Sequence, residues 1–358
     1  MTDPITKSAE PASLPQSGSA QRKKKKKKKP EQALLYVQDL NKAYPRPAGL
    51  FRKAELSHAL HDVNFYIRHR ETIGLVGESG CGKTTLAMCI LRLIEPTMGR
   101  VLFDGKEVTT LRSGELRQLR RRMQIVFQDP YASLNPHMTV RDLVAEGIEV
   151  FGLAASKHSI DDMAGTMLER VGLSRDAMTR YPHAFSGGER QRIAIARALA
   201  VSPDFLVLDE PLSALDLSVQ AQIINLLDDL QQKLNLTQLF ISHDLRAVQY
   251  VSHRMAIMHL GRIVEMGPSS SVAKDRFHPY TRALFTAMAS APSEGGDENE
   301  PRKLPIVNAL ADEISRGCAY ASRCERQEER CHRERPVLRE IEVGSHHRVA
   351  CWQPYLES

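Results

Sequence analysis

Thr72-Ile-Gly-Leu-Val76 runs straight into Gly77-Glu-Ser-Gly-Cys-Gly-Lys-Thr84, and the rest of the chain can be read outward from there. The second segment fits G-x-x-x-x-G-K-[ST] at every fixed position. An apolar strand precedes it. A helix follows to about Ile94, with Leu86, Ile90 and Leu93 at helical spacing and Pro96 as its stop. In such a turn the glycines let backbone N–H groups converge on phosphate oxygens, and the helix start adds a positive dipole end. The run Gly77, Glu78, Ser79, Gly80, Cys81, Gly82, Lys83, Thr84 and Thr85 is therefore a candidate nucleotide cradle. Lys83 suits the β and γ phosphates and Thr84 suits Mg²⁺.

Phe205-Leu-Val-Leu-Asp-Glu210 supplies the matching half. Four apolar residues make a buried strand, and Asp209 and Glu210 emerge at its carboxyl end, where parallel-sheet sites are built. Asp209 suits the Mg²⁺ shell. Glu210 beside it suits a general base or a water-orienting group.

The remaining segments alternate. Leu34–Val37, Val63–Ile67, Met123–Phe127, Phe205–Leu208, Gln238–Ile241 and Arg254–Met258 read as strands, with helices between the later ones. That rhythm predicts an α/β fold with a mostly parallel sheet covered by helices. Residues 129–185 show no strand pattern and read as a helical insertion. From about Ser269 the pattern loosens, and Pro292–Pro301 has the composition of a linker.

No run approaches a membrane-spanning length. Ile193–Val201 is the best candidate, and it is short and carries Arg197. The chain start lacks a secretory apolar core, so a cytosolic setting is expected. Residues 1–32 are polar and basic, cannot bury a core and are expected to be disordered. Arg22–Lys29 holds eight consecutive basic residues; setting them aside turns the formal charge of +6 into −2. The folded body thus has no charge excess that points to nucleic acid. Of six cysteines, Cys318, Cys324, Cys331 and Cys351 cluster at the end with spacing C-x5-C-x6-C-x19-C. In a reducing compartment such a cluster suggests metal or iron–sulfur ligation before disulfides. The spacing is looser than zinc pairs, and a [4Fe–4S] cluster, zinc and free thiols all remain open.

Further motifs narrow the class. Phe185-Ser-Gly-Gly-Glu-Arg190 opens a helix about twenty residues before Asp209 and resembles the signature of ABC ATPases. Gln128 resembles their glutamine loop, Ser213-Ala-Leu-Asp216 their D-loop, and His243 their switch histidine. Tyr44 resembles the aromatic residue that stacks on adenine. The resemblance covers roughly residues 34–290. It implies a P-loop NTPase of ABC type over residues 33–268: a mostly parallel sheet core, an antiparallel β subdomain and a helical subdomain at about 129–185. It implies ATP and Mg²⁺ as cofactors, with Glu210, His243 and Gln128 in catalysis. It assigns Mg²⁺ to Thr84, Gln128 and Asp209. Ser186, Gly187, Gly188, Glu189 and Asp216 then face the nucleotide of a neighbour, because two such domains dimerise head to tail. Glu189 stands where the signature usually has Gln; on the first helical turn its carboxylate complements the dipole.

The end of the chain resembles dipeptide and oligopeptide importer ATPases. Arg276-Phe-His-Pro-Tyr-Thr-Arg-Ala-Leu284 looks like their His-Pro-Tyr segment, and the stretch Gly317–Cys351 looks like their terminal extension. A Cys-rich extension over 269–358, a [4Fe–4S] cluster on its four cysteines, and an importer of short peptides follow as implications. So do the partners: a second homologous ATPase, two permease subunits and an extracytoplasmic peptide-binding protein, at the cytoplasmic face of the membrane. Nickel chelates or glutathione are alternative cargoes. The competing class is a soluble ABC ATPase that uses the lysine arm on nucleic acid; the near-neutral body argues against it.

Overall fold

The computed structural model describes residues 33–46, 55–289 and 316–356. The basic arm at 1–32 and the linker at Pro292–Pro301 lie outside the described residues.

In chain order, β1 (Ala33–Arg46) and β2 (Glu55–Arg68) form a long antiparallel pair, and β3 (Thr72–Val76) leads through the glycine loop into α1 (Lys83–Ile90). Strands β4 (Met98–Phe103) and β5 (Lys106–Glu107) complete the first sheet, ordered β2-β1-β4-β5. Helix α2 (Ser113–Arg122) delivers β6 (Met123–Val126). Helices α3 (Pro130–Ser133), α4 (Val140–Val150) and α5 (Lys157–Arg170) fill the insertion, and α6 (Gly187–Leu199) returns to the sheet. Then come β7 (Phe205–Asp209), α7 (Leu217–Leu234), β8 (Thr237–Ile241), α8 (Leu245–Val251), β9 (Arg254–His259) and β10 (Arg262–Pro268). Helices α9 (Ser269–Asp275) and α10 (Pro279–Ala289) follow, and the tail adds β11 (Arg339–Glu340) and β12 (Arg348–Val349).

The second sheet is ordered β11-β12-β10-β9-β3-β8-β7-β6. Its centre is parallel, and every residue of β3, β7, β8 and β9 is buried. Strands covered on both faces read as continuous apolar runs, which is why these were legible. The faces separate two cores. Phe205, Val207, Leu239 and Ile241 pack with α1 and the antiparallel sheet. Leu206, Leu208 and Phe240 pack with the helical insertion and α6.

Four sequence expectations need correction. Strands β1 and β2 span 14 residues each, far longer than the short runs read; register shifts around Leu40 and left-handed Asp39 and Asp62 interrupt their alternation. Strand β4 was missed behind Pro96, and β10 was missed because it buries Arg262 and Glu265. Helix α1 ends at Ile90 rather than near Ile94, since Arg92 turns left-handed at φ 50°. Residues 269–289 form two helices rather than a loosened segment.

The tail is not a separate body. Strand β12 pairs with β10 and extends the main sheet. Fully buried Glu265 on β10 holds this region together. Its carboxylate accepts the N–H groups of Phe277 and His278, each at 2.9 Å, and lies 2.8 Å from Nε2 of buried His347. Three partners on one buried carboxylate satisfy a charge that would otherwise be costly. Glu265→Ala is expected to lower stability by about 3–5 kcal/mol, since it strands the N–H groups of half-buried Phe277 and buried His278 together with buried His347. A chemical-denaturation midpoint equal to wild type would remove Glu265 from this anchoring role.

Candidate nucleotide site

The glycine loop is built from behind. A Cβ on Gly77 would lie 2.1 Å from the Met258 carbonyl oxygen and 2.7 Å from Cys81 Sγ, so no side chain fits there. The N–H of Gly261, in the β9–β10 turn, donates to the Cys81 carbonyl at 2.8 Å. Gly82 caps α1 at φ 106°, a conformation glycine adopts without steric cost. The loop crosses at the carboxyl end of β3, with Thr84 exposed at the start of α1 and Leu86 buried below.

Lys83 is buried and donates to the carbonyls of Gly77 at 2.8 Å and Glu78 at 3.1 Å, with Glu210 Oε1 3.7 Å away. The Thr84 hydroxyl donates to Asp209 Oδ1 at 3.2 Å. Burial holds the Asp209 carboxyl above its ordinary range, and neighbouring Glu210 adds to this against the pull of Thr84 and Lys83. A hydroxyl beside a carboxylate is the oxygen donor set a hard divalent cation takes, so these residues fit Mg²⁺.

Glu210 is the hub. It sits just past β7 at φ 47°, where its N–H still donates to the Ile241 carbonyl at 2.9 Å. A non-glycine residue in that region is strained, and such strain concentrates at functional positions. One carboxylate oxygen faces Lys83. The other accepts the Gln128 amide at 3.2 Å and lies 3.3 Å from His243 Nδ1. Residues from the ends of β6, β7 and β8 therefore meet at one carboxylate.

The other expected site residues lie apart from this group. Ser186 caps α6, its hydroxyl accepting the Glu189 N–H at 3.3 Å. Glu189 in turn accepts the Ser186 N–H and hydroxyl, each at 2.8 Å. These bonds draw the Glu189 carboxyl below its ordinary range. Gly188 packs on α7, where a Cβ would meet Val219 Cγ1 at 2.4 Å; Ser186 and Gly187 stay exposed. Asp216 caps α7, accepting the Val219 N–H at 2.9 Å. Tyr44 lies on β1, with Lys42 Nζ 4.8 Å from its ring centroid. Among the described residues no hydrogen bond or ion pair joins Tyr44, Asp216 or Ser186–Glu189 to the glycine loop.

A family model described as ABC transporter matches residues 60–213, and one described as oligopeptide/dipeptide transporter, C-terminal region, matches residues 264–331. A chain of Brucella ovis, named for peptide import and ATP binding, is 46% identical over 321 residues, covering 90% of this chain and 98% of its own. The chain belongs to the ABC transporter ATP-binding proteins. The oligopeptide transport ATP-binding protein OppF of Bacillus subtilis is 45% identical over 284 residues, 78% of this chain and 91% of its own. Among solved structures, an ATP-binding cassette in a dimeric post-hydrolysis state with ADP and Pi superposes with TM-score 0.59 at 28% identity, over 66% of this chain and 98% of that one. A subunit of an ABC transporter complex from Clostridium perfringens gives TM-score 0.58 at 29% identity, over 68% and 91%.

As an ABC ATPase the chain binds and hydrolyses ATP. No helix among its described residues is long and apolar enough to cross a membrane. The tail cysteines of this ABC protein do share one neighbourhood: the Cys318 N–H donates to the Cys331 carbonyl at 2.7 Å, and Cys351 feels the other three. Burial pushes the thiols of Cys318 and Cys324 up, and that of Cys351 to about 12. Among the described residues no group of three or more His, Cys, Asp or Glu is arranged to hold a metal ion. The iron–sulfur expectation for Cys318, Cys324, Cys331 and Cys351 therefore finds no support in this arrangement.

Two residues that touch the loop escaped the sequence reading: Tyr280 and Arg323, both of which meet Glu78. The His-Pro-Tyr segment was noticed as a family mark, but nothing in its pattern points at a backbone N–H 202 positions away.

Proposed function

We propose that this chain is the ATP-hydrolysing subunit that drives peptide uptake through an ABC importer, working at the cytoplasmic face of the membrane. The match to the oligopeptide/dipeptide transporter C-terminal region over residues 264–331 carries this reading. The similarity to OppF along most of both chains supports it.

In this reading Gly77–Thr85 cradles the phosphates and Tyr44 stacks on adenine. Mg²⁺, held by Thr84 and Asp209 with Gln128 alongside, neutralises phosphate charge. Glu210 takes the proton of the attacking water, and Gln128 and His243 fix the carboxylate that does so. With the Ser186 N–H already taken by Glu189, the N–H groups of Gly187 and Gly188 at the start of α6 are left to offer an anion although the chain has its own loop. That surplus makes sense when it faces the nucleotide of a second, homologous ATPase subunit, with Asp216 at the same interface. Closing and opening of the pair then moves two permease subunits, supplied with peptide by an extracytoplasmic binding protein.

Nickel chelates and glutathione differ from peptides only at the binding protein and the permease, so this subunit serves any of them by the same chemistry. Co-expression with candidate permease subunits, followed by uptake assays in membrane vesicles, tests the proposal. ATP-dependent uptake of labelled short peptides is expected, lost on omission of this chain. Recovery of the chain with nucleic acid and without permease would overturn it in favour of the soluble class.

A further inference from the structure

Tyr280 is fully buried at the start of α10, and its hydroxyl meets the glycine loop. The N–H of Glu78 donates to this hydroxyl at 3.2 Å. That N–H and the Gly77 carbonyl are the two ends of one planar peptide unit. The carbonyl end accepts Lys83 Nζ at 2.8 Å. Tyr280 therefore fixes the tilt of the peptide whose far end holds the phosphate-binding lysine. Arg323 reaches the same residue from the tail, its Nη1 3.7 Å from Glu78 Oε1.

Both groups are themselves braced. The Tyr280 ring lies against His259 at 4.1 Å and against Tyr320 at 5.5 Å between centroids. The Arg323 guanidinium lies 5.5 Å from the Tyr320 ring centroid. The turn entering α10 is fixed by the bonds from Phe277 and His278 to Glu265, and by the Tyr280 N–H donating to His278 Nδ1 at 3.0 Å. Tyr320 and Arg323 lie between Cys318 and Cys324, so the cysteine-bearing turn is what presents them.

We propose that Tyr280 and Arg323 are positioning residues for ATP binding: Tyr280 holds the Gly77–Glu78 peptide, and through it Lys83, while Arg323 holds the Glu78 carboxylate beside it, so that the region beyond the ATPase core sets the affinity for ATP. This rests on the assignment of the glycine loop to the nucleotide phosphates.

The test uses the full chain, with equilibrium titration of ATP and steady-state hydrolysis on four variants and the wild type. Tyr280→Phe keeps the ring and removes the acceptor. A net hydrogen bond of ordinary strength predicts a roughly three- to tenfold rise in Kd and KM for ATP, with kcat within about twofold. Arg323→Gln is expected to raise Kd about two- to threefold, and Arg323→Lys, which keeps the charge, to restore it. A purely space-filling role would instead lower the melting temperature and leave KM alone. Wild-type affinity in both Tyr280→Phe and Arg323→Gln would overturn the proposal. Lys83→Ala separates the two levels. If it loses ATP while those variants do not, only the positioning role fails; if it binds ATP like wild type, the nucleotide assignment fails as well.

Discussion

Glu210→Gln is expected to cut ATP turnover by about a hundred- to ten-thousandfold while ATP still binds. The substitution keeps the size of the side chain and leaves an oxygen for the Gln128 amide and His243, which stand 3.2 Å and 3.3 Å from the carboxylate. What it removes is the negative charge and the capacity to take a proton. The cost should fall on the chemical step, because the backbone of the glycine loop from Gly77 to Thr84 is held by groups other than Glu210. That loop rests on the Met258 carbonyl, the Gly261 N–H and the Tyr280 hydroxyl. Equilibrium titration with ATP, set beside steady-state phosphate release, checks both halves. Turnover at the wild-type rate would remove Glu210 from its assigned role.

Lys83→Ala acts on the other half of the cycle. The ammonium is buried, bonded to two loop carbonyls and paired at 3.7 Å with Glu210. Hydrogen bonds to charged groups contribute about 1.5–3 kcal/mol each, so losing the lysine is expected to weaken ATP binding by roughly a hundredfold. The fold should survive, since neither Gly77 nor Glu78 belongs to either hydrophobic core. A melting curve run alongside the titration separates loss of affinity from loss of structure. Unchanged affinity in a folded variant would refute the assignment of the glycine loop to phosphate. The two substitutions should therefore split cleanly, one sparing binding and the other weakening it by about a hundredfold.

Much of this site was legible because its members sit in short, self-contained signals. The loop Gly77–Thr84 is one contiguous segment, and its flanking strand is buried throughout. Asp209 and Glu210 end a strand with five buried residues. Gln128 and His243 carry weak signals alone, but each follows a strand of the same sheet, and parallel order brings their ends to one edge. Glu189 was legible as a residue of the first helical turn. That its carboxylate would take both the N–H and the hydroxyl of Ser186 depends on a rotamer, which a sequence does not disclose.

What stayed hidden had physical reasons. Strand β10 carries Arg262 and Glu265 inward, against the expectation that charges mark a solvated face. The long antiparallel pair hides behind bulges at Asp39 and Asp62, which break the two-residue period. Tyr280 and Arg323 act on a residue more than two hundred positions away, and one of them binds main chain, which has no identity to read. The four cysteines are legible as a cluster, and they do gather, though among the described residues no group of three or more is arranged to hold an ion.

The Glu265 anchor also has a consequence for how the protein is made. Its carboxylate is synthesised 82 residues before His347, its partner from the tail. Chains emerge from the ribosome amino end first, so the ATP-binding half is exposed long before that histidine arrives. During that interval the edge of β10 waits without β12, and the buried acid lacks one of its three contacts. A translation product stopped short of residue 347 would thus carry the glycine loop, Gln128, Glu210 and His243 together with an open sheet edge, the sort of surface that chaperones and proteases engage.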